Sequence, residues 1–317
     1  LTGPVWGYRN KARLGVKFVN KKHRVLVGFR EKRKSYVADI HRCEVLHPDV
    51  GERLQELAEL IGGMEARARI AQIEVAAGED CTVLVFRNLD PLNDEDTQTL
   101  IKYAQQTGLH IYLQPAGPDS IELLWPETSM LSYHLPDYKL EIRFLPMDFT
   151  QVNPAINQPM IQQALGLLEL QPDDKVLDLF CGLGNFTLPM ARSAQHVTGV
   201  EGEAGLVQRA RDNAQRNGID NVAYHVVDLS EDPCEQSWMK QQYTKVLIDP
   251  PRSGAQELMP HLGKLGAEHI VYVSCHPGSL ARDAGILVNE LGYKLVAAGV
   301  MDMFPHTTHV ESMALFV

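Results

Sequence analysis

The sequence is poor in every feature that would mark a membrane-spanning or disulfide-built protein. Its 317 residues hold no run of 18 or more apolar residues, so no transmembrane helix is expected. The opening Leu1-Thr2-Gly3-Pro4 has neither an initiator Met nor the apolar core of a signal peptide, and the sequence is expected to begin inside a longer protein. Five cysteines occur, Cys43, Cys81, Cys181, Cys234 and Cys275, odd in number and without a CxxC pair. That scarcity excludes a disulfide framework and points to a reducing, cytoplasmic setting. Cys81, in Cys81-Thr82-Val83-Leu84-Val85-Phe86, reads most simply as a small buried hydrophobe. His306 and His309 lie near Glu311 but lack a further His or Cys at ligand spacing, which argues against zinc there. No internal repeat and no low-complexity tract appears.

What is there is ordinary in bulk and uneven in distribution. A hydrophobic content of 44% with 22% charged residues is that of a globular protein, and the length suggests two domains. The net charge of −10 hides an asymmetry. Residues 1–50 carry twelve Lys/Arg against four Asp/Glu, a net of +8, while the remainder carries 18 against 36. A basic, aromatic-bearing segment on an acidic body reads as a polyanion footprint, with a solvated charged hairpin as the plainer alternative.

Two grammars follow one another along the chain. Leu14, Val16 and Phe18 alternate with Arg13 and Lys17 as a half-buried strand requires, and after the turn Asn20-Lys21-Lys22-His23 the segment 24–30 returns as its hairpin partner. A helix is expected over 50–61, stopped by Gly62-Gly63, then strands over 68–76 and 81–87. Another helix over 94–106, capped by Asn93 or Asp94, precedes short strands at 110–113 and 120–125. Residues 1–145 are thus a mixed α+β, largely antiparallel unit. Residues 146–317 instead alternate strand and helix. A helix opens at Asn157-Gln158-Pro159, and strands are expected over 175–180, 196–200, 222–227, 245–248, 269–273, 294–300 and 312–317. Helices fall at 186–193, 204–217 and 283–291. That alternation means α/β, a doubly wound Rossmann-like sheet.

The first strand of that second half runs into Asp178-Leu179-Phe180-Cys181-Gly182-Leu183-Gly184-Asn185-Phe186, a loop whose glycines let the backbone turn tightly against a ligand. A G-x-G alone is weak, and the full dinucleotide pattern is missing. Context strengthens it. Glu201 follows Asp178 by 23 residues, where an acidic side chain accepts ribose hydroxyls, and Asp228 and Asp249 close the next two strands. Four carboxylates at strand ends disfavour a phosphate-bearing dinucleotide, the alternative reading. They suit S-adenosylmethionine, which carries a ribose, an adenine and a positive sulfonium.

Cys275 follows the apolar run His269-Ile270-Val271-Tyr272-Val273, so a thiol sits where a buried strand breaks into a loop. Taken alone it is as well explained as a structural thiol. Paired with the carboxylate Glu311 it suggests methyl transfer to a pyrimidine C5 through a covalent thiol adduct at C6, with the carboxylate as base. Cys275-His276 as a protease dyad fails, because adjacent side chains on an extended segment point apart. In Asp249-Pro250-Pro251-Arg252 there is no aromatic residue after the prolines, as adenine amino-methylation wants. Nor is there the cysteine that cytosine-C5 chemistry generally carries in this motif.

These segments, with Ser274-Cys275-His276-Pro277, Phe304 to Met313 and Phe149-Thr150-Gln151-Val152-Asn153, resemble the RNA uracil-5 methyltransferase family over essentially the whole chain. The resemblance implies Cys275 as nucleophile and Glu311 as base. It implies methyl-donor contacts at Gln151, Phe180, Gly182, Asn185, Glu201, Asp228 and Asp249, and substrate contacts at Arg9, Arg13, Phe149 and Arg252. Trp6 to Leu14 and the Cys43 segment look most like the 23S ribosomal RNA branch, with transfer RNA as the alternative substrate. In that branch a cysteine near Cys43 completes a [4Fe-4S] cluster with three others. Those three are absent here, so Cys43 is a ligand only if the intact protein supplies them. A monomer is expected, and a non-catalytic RNA-binding or chaperone module is the reading from another class.

Overall fold

The computed structural model describes residues 1–31, 33–34 and 36–317, which fall into two compact units. One comprises residues 4–133 and 143–154, the other residues 1–3, 134–142 and 155–317. The sequence suggests a single change of grammar at residue 145. The chain instead interleaves, and 143–154, with Phe149 and Gln151, groups with the first unit.

The first unit is built on β1 (Lys11–Val19), β2 (Arg24–Gly28), α1 (Pro48–Gly51), α2 (Leu54–Gly63), β3 (Ile70–Ala77), β4 (Thr82–Asn88), α3 (Asp94–Thr107), β5 (His110–Leu113) and β6 (Glu122–Trp125). The strands form one sheet in the order β2-β1-β3-β4-β5-β6, antiparallel except for the β4–β5 pair. Leu14 and Val16 of β1 are buried while Arg13 and Lys17 face water, the alternation read from the sequence. Leu54, Leu57 and Ile61 share one stripe of α2 and are completely buried in the same core as Ile73, Val75 and Phe86. The Asn93 side chain caps α3 by accepting from Asp96 N–H at 2.7 Å, and Gly108 ends it in the left-handed region.

Two basic residues have partners inside this unit, Lys11 half-buried and Arg13 with its side chain still 67% exposed. Lys11 donates through Nζ to the Pro146 carbonyl at 2.8 Å and to that of Asp148, and desolvation pulls its pKa down to about 8. With Asn10 N–H donating to the Val152 carbonyl at 2.8 Å, it moors the segment that carries Phe149 and Gln151. Arg13 Nε lies 2.5 Å from Glu74 Oε1. The positive excess of residues 1–50 therefore overstates the free surface charge. Cys81, expected buried, is only half so, and its thiol donates to the Met130 carbonyl.

A two-stranded ribbon, β7 (Leu131–Leu135) and β8 (Leu140–Phe144), follows. The second unit then runs α4 (Pro154–Leu168), β9 (Lys175–Leu179), α5 (Thr187–Ala191), β10 (His196–Glu201), α6 (Ala204–Arg216), β11 (Val222–Val226), β12 (Lys245–Ile248), α7 (Met259–Leu262), β13 (His269–Ser274), α8 (Pro277–Asn289), β14 (Leu295–Met301) and β15 (Glu311–Phe316). Its seven strands lie in the order β11-β10-β9-β12-β13-β15-β14. All neighbours are parallel except β15, which runs antiparallel between β13 and β14. Strand order reverses between β9 and β12, and the carboxyl ends there open the crevice where such sheets bind ligands.

Two helices begin earlier than the sequence suggests. α4 starts at Pro154 and encloses Pro159, whose ring costs a single hydrogen bond in the second turn. α8 starts at Pro277, six residues before Asp283, because Pro at the first helical position is pre-organised and His276 caps it. The carboxylates also differ in placement. Asp178 lies inside β9, Asp249 just beyond β12, and Asp228 two residues beyond β11 on the surface.

Candidate active site

Strand register brings Cys275 and Glu311 together. β13 pairs with β15 from Ile270 opposite Phe316 to Ser274 opposite Ser312; the next residues outward are Cys275, where the chain bends out of the strand, and Glu311, whose charge acts on the thiol. Facing residues of an antiparallel pair have Cα atoms about 4.5–5.5 Å apart, so groups 36 positions apart in sequence become neighbours. Ser312 Oγ donates to the Ser274 carbonyl at 3.1 Å and fastens this end of the ladder. His276 is occupied in capping α8, its Nδ1 accepting from Ser279 N–H at 3.1 Å.

The surroundings of the thiol are electrostatically loaded. Glu311 is only 4% exposed, and burial followed by the Asp249 charge pushes its pKa up to about 8. Burial takes Asp249 up to about 7. The half-buried Cys275 thiol is raised by burial, then by Glu311 and Asp249, against a lowering by its own backbone and by Arg252. Asp249 thus raises Glu311 and both raise Cys275, and a cation or a polarised ring entering the site would find carboxyls ready to ionise.

The glycine loop forms a second part of the site. Asp178, 1% exposed, accepts from Thr187 Oγ1 at 2.5 Å, its other oxygen has no hydrogen-bond partner among the described residues, and burial raises its pKa to about 8. Phe180 turns the chain at φ 64°, an uncommon conformation for a bulky residue. Gly182 has φ 52°, and a Cβ placed there would meet nothing within 4 Å, so the space above it is open. Its N–H donates to Glu201 Oε2 at 3.1 Å, while Glu201 Oε1 accepts from Gly202 N–H at 2.8 Å. Asn185 exchanges two amide hydrogen bonds with Asn157 on α4, at 2.8 and 3.0 Å. Asp228 accepts from Ser230 N–H and Oγ, which hold its carboxyl below the usual range.

The loop after β12 is held by a residue that motif reading passes over. Asp283 on α8 is fully buried. Its Oδ2 accepts from Tyr272 Oη at 2.6 Å and Ala255 N–H at 2.8 Å, and its Oδ1 from Arg282 Nε at 2.8 Å. Arg282 in turn donates to the Ser253 carbonyl at 2.8 Å, and Ser279 Oγ to that of Arg252 at 3.2 Å. One carboxylate thus joins the Asp249–Ala255 loop to β13, the strand that presents Cys275. Gly254, at φ 83°, admits the network, since a Cβ there would lie 2.6 Å from Asp283 Oδ2.

Comparison with known proteins decides the family. The signature of tRNA (Uracil-5-)-methyltransferase matches residues 6–317. The 23S rRNA (uracil(1939)-C(5))-methyltransferase RlmD of Xanthomonas axonopodis pv. citri is 54% identical over 316 residues, covering 100% of this chain and 71% of that protein. The protein of that name from Methylococcus capsulatus is 56% identical over 317 residues, covering 100% and 72%. The chain belongs to the tRNA (uracil-5-)-methyltransferase family. It is an S-adenosylmethionine-dependent RNA uracil-5 methyltransferase. A solved structure, Pyrococcus abyssi tRNA (uracil-54, C5)-methyltransferase in complex with S-adenosyl-L-homocysteine, superposes with a TM-score of 0.76 at 25% identity, covering 100% of this chain and 78% of that one.

Of the residues expected from the family's pattern, Phe180, Gly182, Asn185, Glu201, Asp249, Arg252, Cys275 and Glu311 all lie in the second unit, as does the exposed Asp228. Arg9, Arg13, Phe149 and Gln151 belong to the first unit, Phe149 with its ring 69% exposed. Cys43, also there, is half-buried. Among the described residues it takes part in no group of three or more metal-ligating side chains, so the residues present do not fit a [4Fe-4S] cluster.

Proposed function

We propose that the protein methylates C5 of a uridine in 23S ribosomal RNA, with Cys275 as nucleophile and Glu311 as the base. The observation that carries the chemistry is that the β13–β15 register ends just before Cys275 and Glu311, leaving a thiol and a buried carboxyl close enough to act on each other. S-adenosylmethionine fits the glycine loop. Gly182 leaves open space, Glu201 presents a fixed carboxylate to a ribose, and Asp178 and Asp249 are buried carboxyls that a sulfonium would favour in the ionised form. When bound, that cofactor supplies an electrophilic methyl group.

The protein's own groups do the rest. Cys275 loses its proton to solvent and the thiolate sulfur adds to C6 of the ring, leaving C5 as the nucleophilic carbon of an enolate. Arg252, the one cation among the groups that act on the thiol, is proposed to favour the thiolate and to face the developing charge on the ring. Once C5 carries the methyl group, Glu311 takes the C5 proton and the C6–S bond breaks, returning Cys275 as thiolate. A carboxyl with a pKa of about 8 is a stronger base than an ordinary one and is suited to a weakly acidic carbon.

The identity of 54–56% to proteins named for 23S rRNA favours ribosomal RNA over transfer RNA, the substrate in the name of the Pyrococcus structure at 25%. Ribosomal RNA as substrate implies the cytoplasm, and among the described residues no helix is long and apolar enough to cross a membrane. A monomer is proposed, since all the groups of the chemistry come from one chain. The test is methylation of 23S rRNA and transfer RNA transcripts in parallel, followed by mass mapping of 5-methyluridine. Modification at a single 23S site supports the assignment, and modification of transfer RNA alone overturns it.

A further inference from the structure

Away from the Cys275 pocket, three side chains of metal-ligating type converge between the β11–β12 connection and α7. Asp232 and Cys234 stand two apart in Asp232-Pro233-Cys234, and His261 lies on α7. Cys234 Sγ is 3.3 Å from His261 Nδ1, and Asp232 Oδ1 is 3.6 Å from His261 Nε2. One ligand atom from each falls within 4.8 Å of the others, the only such trio among the described residues. A tetrahedral zinc ion with bonds of about 2.0–2.3 Å holds its ligands roughly 3.3–3.8 Å apart, which is the spacing of thiol and ring here.

Cys234 and Asp232 address different nitrogens of the ring, so an ion taken at Nδ1 beside the thiol needs the exposed Asp232 carboxylate to turn toward it, within surroundings that fix the other two groups. Asp232 Oδ1 accepts from Cys234 N–H at 2.9 Å, and Pro233 between them restricts the backbone. His261 is fixed by its helix, whose Met259 and Leu262 are buried in the core. The His261 side chain is 17% exposed and that of Asp232 71%, so one side faces solvent and leaves room for entry and for a water. The proposed methyl transfer uses none of the three.

We propose that Asp232, Cys234 and His261 bind a divalent transition-metal ion, zinc foremost, through three protein ligands and a water. One thiolate, one imidazole and one carboxylate suit zinc or cobalt, whereas magnesium and calcium demand oxygen ligands throughout. As the sulfur–metal bond forms the thiol proton passes to solvent, the imidazole and carboxylate lone pairs replace waters of the ion, and no electron is transferred. The ion would cross-link the β11–β12 connection to α7, the helix that follows the Asp249–Ala255 loop.

Titrating chelator-treated protein with Co²⁺ tests this. One equivalent should bind with a thiolate-to-cobalt charge-transfer band and tetrahedral visible bands, Zn²⁺ should bleach both, and excess Mg²⁺ should leave them. Cys234→Ser and His261→Ala should each weaken binding at least about a hundredfold, while Cys81→Ser keeps it. Absence of the band at a tenfold excess of Co²⁺, or its survival in Cys234→Ser, overturns the proposal. Because the wild-type titration decides the first point, a variant that folds poorly does not shelter it.

Discussion

Replacing Glu311 by Gln should separate the two halves of the reaction in opposite directions. With its pKa near 8, roughly a tenth of Glu311 is ionised at pH 7, where an ordinary Glu would be ionised almost completely. Gln keeps the shape and removes the charge and the base. Because the Glu311 charge is among the causes that raise the Cys275 thiol, the substitution lowers that pKa, and alkylation of Cys275 by iodoacetamide at pH 8 should become faster. Release of methylated RNA should fall on the order of 10²–10⁴-fold, the usual worth of a general base. On a denaturing gel, 23S rRNA fragment and cofactor should then accumulate a protein–RNA adduct that the wild type clears. In the wild type, the rate of adduct breakdown should rise with pH and level off above about 8, since the base acts when deprotonated; in the variant it should be flat. Free product released at the wild-type rate, or slower alkylation of Cys275, would refute the assigned role.

The other expectations are as direct. Asp283→Asn removes the charge that Tyr272, Ala255 N–H and Arg282 all address, and should lower kcat roughly ten- to a hundredfold with unchanged far-ultraviolet circular dichroism, Tyr272→Phe doing less in the same direction; full activity in Asp283→Asn would remove it as a positioning residue. Gly182→Ala should weaken S-adenosylmethionine binding by calorimetry more than it lowers Tm, because its Cβ enters open space and the strain at φ 52° is on the order of 1 kcal/mol; equal binding would mean that no ligand approaches there. Asp178, Asp249 and Glu311 have folded pKa values of about 8, 7 and 8, raised above those of the unfolded chain, so their stabilising contribution is full below pH ~4 and is lost as pH rises through 7–8. Without ligand, Tm should fall between about pH 5 and 8, less steeply with S-adenosylmethionine, whose binding at pH 7 should release protons; a Tm that climbs over that window contradicts the three shifts.

The sequence made the second unit legible because its strands are short, apolar and separated by helices, a pattern that only a doubly wound sheet buries. It also exposed the groups that stand alone in motifs, Cys275, Glu311 and the glycine loop. It concealed those whose work depends on a partner far along the chain. Asp283 lies on the same stripe of α8 as Ser279 and Leu287, four residues apart in each direction, and a carboxylate at a buried helical position is itself a signal. A helix expected only from residue 283 leaves Ser279 outside it, so the stripe is not visible in the sequence pattern. Asn157 was hidden similarly, read as a helix opener although it lies between buried Ile156 and Met160 and faces Asn185. Lys11 and Arg13 counted toward a polyanion footprint, yet local charge cannot show that one is moored to carbonyls at 146 and 148 and the other to Glu74.

The antiparallel placement of β15 bears most on the chemistry. Had the last strand run parallel at the sheet edge, Glu311, its first residue, would open at the amino end of the sheet, a full strand length from Cys275. Inserted between β13 and β14, it starts where β13 stops, and it is paired on both sides, with Ser274 opposite Ser312 and Met301 opposite Glu311. A slip of one residue against either neighbour would turn the carboxyl to the opposite face. Burial of all six residues of β15 makes such a slip costly, since each strand face packs against core. The register is therefore fixed by apolar packing along Met313 to Phe316 and by the Ser312 hydrogen bond to Ser274, and the position of the reactive carboxyl follows from it. Burial and the neighbouring Asp249 charge keep its pKa high, and a high pKa is what the removal of a proton from carbon requires.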